Sequence, residues 1–150
     1  MSDTVLTVTK VVPVPADQLF AALADPAQHA TIDGSGTVRG AVAPAPISQV
    51  GDVFTIDMHQ EAFGDYQIAN HVVEYEPARR IAWSPGMVGT PPIGHLWIWA
   101  LEGNGDSTTV THSCDWSAVT DEKMLAMLSF PRVSAQQMEA SIDNLASSAG

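Results

Sequence analysis

The amino-acid sequence predicts an α+β fold: a curved antiparallel sheet of about seven strands, closed by a long C-terminal helix over an internal cavity. Three observations carry this. Near the C-terminus Met138, Ile142 and Leu145 fall at i, i+4 and i+7, one face of a helix that must lie on something apolar. What precedes that helix is mostly strand-like. The strands follow one another across short turns, which implies antiparallel pairing. The order reads β-α-α-β6-α. A sheet of that width twists and curls, so a helix laid on its concave side leaves space beneath.

Each element has a local reason. Thr4–Val12 (TVLTVTKVV) is rich in β-branched residues and reads as the first strand. Pro13 and Pro15 end it, and Pro15 suits the first turn of a helix whose buried side is Leu19, Phe20 and Leu23. Asp25-Pro26 reads as an N-cap with proline at the first helical position, opening a short helix to about Ile32. Asp33–Gly51 is rich in Gly and Pro, with a strand over 37–42. Further strands are expected over 52–58, 66–75, 80–84, 95–102 and 108–116. Glu76-Pro77-Ala78-Arg79 forms the turn between the fourth and fifth strands, and Gly103–Ser107 the turn between the sixth and seventh. Ser84–Gly94, with three prolines and three glycines, reads as a loop. Pro131 removes a helix hydrogen bond and predicts a break between a short piece over 121–129 and the main helix from about 131 to 147.

At 150 residues the chain is expected to form one domain over 1–150, and its 45% apolar content excludes a disordered chain. No run of about 18 apolar residues occurs, so no membrane insertion is expected. The first ten residues lack the basic and apolar regions of an export signal, and a lone Cys114 forms no internal disulfide; a reducing cytoplasm is the expected compartment. Six Lys and Arg stand against seventeen Asp and Glu, a net charge of −11. Such a surface repels nucleic acid and anionic bilayers, and the excess acid is most simply a solubility feature.

Four local patterns carry a family resemblance: Val14-Pro15-Ala16-Asp17-Gln18-Leu19-Phe20; Asp25-Pro26-Ala27-Gln28-His29; Val73-Glu74-Tyr75-Glu76-Pro77 leading to Ile81-Ala82-Trp83; and Thr108-Thr109-Val110-Thr111 before the final helix. In their order and spacing, over nearly the whole chain, they resemble the SRPBCC or START-like superfamily, which includes polyketide cyclase/dehydrase and Bet v-type proteins. The stretch from Asp33 to Gly40 is similar to actinobacterial-type members. The resemblance implies a helix-grip fold with a central cavity for lipids, polyketides, hormones or other apolar molecules; a minority of members catalyse cyclisation or dehydration. It implies a cavity rather than a reaction.

Alternation assigns the faces. The inner sets are expected to be Phe54, Ile56 and Met58; Ala69, His71, Val73 and Tyr75; His95, Trp97, Trp99 and Leu101; and Val110, His112, Cys114 and Trp116. A three-residue turn pairs Tyr75 with Ile81 and Val73 with Trp83. With the last hairpin centred on Asn104 and Gly105, Trp97 faces His112 and His95 faces Cys114, leaving the two histidines about 7 Å apart at Cβ. The candidate ligand-binding residues are therefore His71, Val73, Trp83, His95, Trp97, Trp99, His112, Trp116, Met138 and Ile142. The histidines can orient a ligand, act as general acids or bases, or be satisfied core or rim residues, and burial should disfavour their charged forms. The tryptophans can equally be plain core. Cys114 reads as buried and inert. Asp57 and His59 share a strand face that points outward, and no HxxxH or CxxC spacing occurs, so no metal and no cofactor are expected. The loops over 43–49 and 84–94 are either cavity gates or stiff connections.

The leading expectation is a binder of a small hydrophobic or aromatic molecule, lipid- or polyketide-like, acting as a monomer or homodimer. One alternative is a polyketide cyclase/dehydratase-type enzyme using pocket histidines. Another is a protein-binding module resembling heat-shock ATPase activators, which an exposed apolar patch would favour. The charge balance makes one outcome concrete: a gel shift at physiological salt, with protein in the micromolar range, should detect no complex with DNA or RNA.

Overall fold

The computed structural model describes residues 4–42, 45–61, 64–127 and 133–149. Seven strands form one antiparallel sheet in the order β1-β7-β6-β5-β4-β3-β2. They are β1 (Val5–Val12), β2 (Val38–Val42), β3 (Val53–Gln60), β4 (Gly64–Glu76), β5 (Arg80–Met87), β6 (Leu96–Asn104) and β7 (Ser107–Asp115). Between β1 and β2 lie helix α1 (Ala16–Leu23), a 3₁₀ turn at Pro26–Gln28 and the one-turn helix α2 (His29–Ile32); α3 (Glu122–Met127) and α4 (Ala135–Ala149) close the chain. Asp25 caps the 3₁₀ turn as expected, its Oδ1 accepting from the Ala27 N–H at 3.1 Å. Among the described residues no helix is long and apolar enough to cross a membrane.

Helix α4 packs on the concave side. Met138, Ile142 and Leu145 are fully buried, as the stripe predicts. The helix rests on β1, α1 and α2, toward one edge of the sheet, with a lighter contact on β7. It begins at Ala135, later than expected. The reason is a capping box: Gln137 N–H donates to Ser134 Oγ at 3.1 Å, and Ser134 N–H donates to Gln137 Oε1 at 2.9 Å. Pro131 itself lies outside the described residues. A loop leans on the same helix. Gly34 N–H donates to Ser141 Oγ at 2.8 Å, and a Cβ added to Gly34 would sit 2.4 Å from the Gln137 carbonyl oxygen. Only glycine fits there.

Two registers differ from expectation. In β4, Tyr75 pairs with Ile81 as predicted, but Trp83 pairs with Val72, not Val73. A bulge between Val72 and Glu74 inserts one residue and flips the phase of the strand. On the far side of it Tyr66, Ile68, Asn70 and Val72 share the phase of β3's Met58, Ile56 and Phe54, their partners across the ladder. His71 and Val73 therefore point outward. His71 pairs with exposed Val53, and Val73 is itself exposed. In the last hairpin Trp97 lies opposite Cys114 and Trp99 opposite His112. The turn is centred on Gly105 and Asp106, with Gly105 at φ 74°, the first central position of a II′ turn. The two-residue slip keeps every face but moves His112 to a different tryptophan.

Strand β5 runs further than the Pro-rich sequence suggests. It pairs with β4 through Met87, but with β6 only from Arg80 to Trp83. Past Trp83 it has a free edge, which is where a strand tolerates Pro85. The sheet is thus split between β5 and β6 beyond Trp83, and the loop over 88–94 returns close against it: a Cβ on Gly86 would lie 3.0 Å from the Pro92 backbone.

The β4–β5 turn holds a non-glycine residue at positive φ. Arg79 N–H donates to Glu76 O at 2.9 Å, Pro77 sits at the first central position, and Ala78 takes φ 62° at the second. That is the type II pattern, which prefers Gly at Ala78's place. The left-handed conformation costs an L-residue roughly 1–2 kcal/mol, and the greater freedom of Gly in the unfolded chain offsets part of the relief. Ala78→Gly should raise stability by about 0.5–1 kcal/mol, read as a higher urea midpoint with unchanged slope.

Candidate functional site

Beneath α4 lies a cavity of about 630 Å³. One wall comes from β6 and β7. Strand alternation brings Trp97 and Trp99 to the inner face of β6, His95 lines the cavity just before the strand begins, and the hairpin register sets His112 across from Trp99. The His112 ring stacks on Trp99 with centroids 3.7 Å apart and planes 17° apart, and on Trp97 at 5.6 Å and 24°. Its Nδ1 lies 3.0 Å from the Ile98 carbonyl oxygen. A carbonyl only accepts, so Nδ1 carries the hydrogen and Nε2 is left as an acceptor in the neutral ring. Burial pushes the His112 pKa down from 6.5 to about 4, against the opposing pull of the Ile98 carbonyl and the Asp33 charge.

The facing wall comes from β3, β4, β5 and the segment around α2. The capped turn at Asp25 carries the chain round so that His29 enters the cavity wall. Its ring stacks on Trp83 at 5.1 Å and 21°, and Phe54 meets both rings edge-on at 5.1 and 5.2 Å. His29 Nε2 donates to the Leu23 carbonyl at 2.8 Å by the same argument, and burial lowers its pKa too, with the Leu23 carbonyl and the Asp25 charge working the other way. Ile56, Met58, Tyr66 and Ile68 continue the wall, with Asn70 among them. Asn70 is buried, and its side chain makes no hydrogen bond among the described residues. Met124 of α3 and Val133, Gln137, Met138 and Ser141 in and before α4 form the roof, and Pro85, Gly86, Met87 and Ile93 line the side where β5 parts from β6.

Charge is scarce inside. Asp33 is the carboxylate of the described lining, and no lysine or arginine belongs to it. Both Asp33 oxygens are already engaged by the Ser35 hydroxyl, at 2.8 and 2.9 Å, and by the N–H groups of Ser35, Gly36 and Val38. The carboxylate ties its own loop and is not left to meet a guest. Outside the cavity, His59 Nδ1 lies 2.7 Å from Asp65, and Arg80 pairs with Glu74. Among the described residues no three His, Cys, Asp or Glu side chains sit close enough together to hold a metal ion.

Of the sequence-derived candidates, Trp83, His95, Trp97, Trp99, His112 and Met138 line the cavity. Four do not. His71 and Val73 are on the outer face because of the β4 bulge. Trp116 lies past the end of β7, half-buried against the core, its N–H donating to Thr4 O at 2.8 Å. Ile142 is fully buried in the core, one helical turn beyond Met138, where α4 has already left the open space. The expected gate over 84–94 contributes Pro85, Gly86, Met87 and Ile93; in the other expected gate the described residues contribute none, Ile47 being buried with its N–H on Ala24 O, while Ala43 and Pro44 lie outside the described residues. Sequence reasoning missed His29, Asn70 and Ser141. His29 follows directly on the capped Asp25-Pro26 turn, and Ser141 interrupts the apolar helix face between Met138 and Ile142. Asn70 would have stood out as the polar member of the Tyr66, Ile68, Val72 phase had the bulge been placed.

With this geometry in hand, comparison with known proteins is informative. The family model for polyketide cyclase / dehydrase and lipid transport matches residues 3–150. The chain belongs to this family. A curated relative, the uncharacterized protein Rv0088 of Mycobacterium tuberculosis, is 34% identical over 140 residues, covering 89% of this chain and 59% of the relative, so the chain spans little more than half of that protein's length. Among solved structures, a protein from Arthrobacter aurescens aligns with a TM-score of 0.70 at 14% identity, covering 97% of this chain and 86% of that one. DynU16, a protein in the dynemicin biosynthetic locus, aligns with a TM-score of 0.63 at 21% identity, covering 97% of this chain and 47% of that one. These two likenesses establish the helix-grip fold. Family membership supports hydrophobic-ligand binding or cyclase chemistry.

The buried histidines make stability pH-dependent. In the unfolded chain His112 takes its proton near 6.5; in the fold it does so only near 4. Between those values the unfolded state carries the extra proton, so stability falls as pH drops from about 6.5 to 4. The full loss is on the order of 3 kcal/mol for His112, and His29 adds in the same direction. Urea midpoints measured at pH 7, 6, 5 and 4.5 should fall more steeply for the wild type than for His112→Phe; equal slopes would contradict a neutral buried ring.

Proposed function

We propose that this protein binds a small apolar or aromatic molecule in the cavity beneath α4, as a carrier, sensor or storage protein. The observation that carries the reading is the cavity itself. Interiors are normally packed without voids larger than a water, and a space of about 630 Å³ walled by tryptophan, phenylalanine, isoleucine and methionine is of the size and character that small-molecule sites have. Trp83, His95, Trp97, Trp99, His112 and Met138 are the ligand contacts on this reading, together with His29 and Asn70.

An enzyme of the cyclase or dehydratase kind would use the same cavity, with the walls holding a substrate folded. The histidines weigh on this alternative. A general base works best with a pKa near the operating pH, and His112, at about 4, is a weak base at neutrality. His29 is shifted in the same direction. Their neutral state supports polar contacts to a guest better than proton transfer.

Native mass spectrometry of freshly purified protein tests the binding reading. A small-molecule adduct is expected, lost under denaturing spray. Ile68→Trp, which fills part of the cavity, should remove the adduct while far-UV circular dichroism is unchanged. No adduct, with no rise in melting temperature across a panel of apolar molecules, would contradict it.

A further inference from the structure

A sheet that does not close on itself has two edges, and this chain treats them differently. The edge at β2 is guarded. That strand is five residues long, holds Gly40, carries Arg39 and shifts register between Val38 and Gly40. Short length, a bulge and a charge are the devices that keep a further strand from adding. The edge at β1 has almost none of them. β1 runs eight residues without proline or glycine, and its register with β7 is unbroken from Val5 opposite Asp115 to Val12 opposite Thr108. Its one charge is Lys10, a residue of the kind that guards an edge, but the ammonium is drawn across to Asp143 of α4 at 2.7 Å.

The ladder fixes which backbone groups of β1 face away from the sheet. Trp116 N–H donates to Thr4 O, continuing the β1–β7 register by one pair, so the even-numbered residues of β1 are the ones bonded to β7. Val5, Thr7, Thr9 and Val11 therefore turn their N–H and C=O groups outward. β1 is the end strand, and among the described residues no loop or helix backbone bonds to these four. Their side chains are exposed as well; Val11, at 67%, is the most exposed of the large apolar side chains described.

We propose that the β1 edge is the contact between two copies of this chain, the strands pairing antiparallel about a two-fold axis at Val8 so that the two sheets become continuous. Val5 then lies opposite the partner's Val11, and Thr7 opposite the partner's Thr9. That register alone engages all four outward-turned residues on both copies. It sets exposed valine beside valine and threonine beside threonine, the cross-strand pairs that stabilise a sheet. Charge favours the same seam. In a chain of net charge −11, residues 4–16 contain no Asp or Glu, so the two edges meet without acid opposing acid. A seam of one strand pair is small, and the dimer is expected to dissociate on dilution.

Sedimentation velocity from low micromolar to near-millimolar protein tests it. The wild type should shift from one to two chain masses as concentration rises. Thr9→Pro removes an outward N–H and no ladder bond to β7, a place where an edge strand tolerates proline; it should stay at one chain mass throughout, with unchanged far-UV circular dichroism. The register is read by a second pair of variants, Val5→Cys and Val11→Cys. Hydrogen-bonded antiparallel partners lie about 5.5 Å apart at Cα, within disulfide reach, and the buried Cys114 stays out of the reaction. Under mild oxidation an equal mixture of the two should form a covalent dimer several-fold faster than either alone. A wild type that stays at one chain mass throughout, or a folded Thr9→Pro that dimerises as well as wild type, would overturn the proposal. Cross-linking no faster in the mixture than in the separate proteins would overturn the register, whether or not Thr9→Pro folds.

Discussion

The structure depends on where α4 stands. A curled sheet has more concave surface than one helix can cover, and α4 settles toward the β1 edge, against α1 and α2. Its apolar stripe is spent there, with Ile142 and Leu145 wholly buried. Over the rest of the concavity the described roof is Met124 of α3, Val133 and the first turns of α4, with Gln137, Met138 and Ser141. The empty space follows from this off-centre seating, and so does the division of labour along the helix. Its C-terminal half is core. Its N-terminal half is ceiling.

The contrast between outside and inside follows from the same arrangement. The chain carries a net charge of −11, yet the described cavity lining has one carboxylate, which is consumed by its own loop. Aromatic rings and neutral imidazoles supply the polarity of the walls. Burial keeps the imidazoles neutral, and stacking keeps them in place, so the interior offers hydrogen bonds without fields. Such a lining discriminates by shape and by single donors and acceptors.

Much of this was legible in the residues. The order of elements, the buried stripe of α4, the inner faces of β3, β6 and β7 and the Asp25 cap all follow from periodicity and local signals. What alternation could not carry was the β4 bulge. A single extra residue at Val72–Glu74 leaves Tyr75 on the expected face and transfers the polar role on the other side from His71 to Asn70. Nothing in that Val-rich stretch marks the insertion. The hairpin register failed for a smaller reason: Asn104-Gly105 and Gly105-Asp106 are both acceptable turn centres, and both keep the faces. Ile142 and Trp116 were expected on the cavity wall and are not there: Ile142 is core and Trp116 is half-buried against it, because core and cavity wall part company where α4 meets α1 and where β7 ends.

Gly34 gives the cavity two sides of unequal temper. Its backbone lies against the backbone of α4 with no side chain between them, so the loop that carries Asp33 and Ser35 cannot loosen alone; it leaves when the helix leaves. The opposite side, where β5 has parted from β6, is closed by a turn and a proline-rich return that answer to few ladder bonds. Loop motion of that kind runs on nanoseconds to microseconds, whereas undocking a packed helix is a far slower event. On the reading that the cavity holds a guest, the split edge is the side through which exchange would be faster, with the riveted side as back wall.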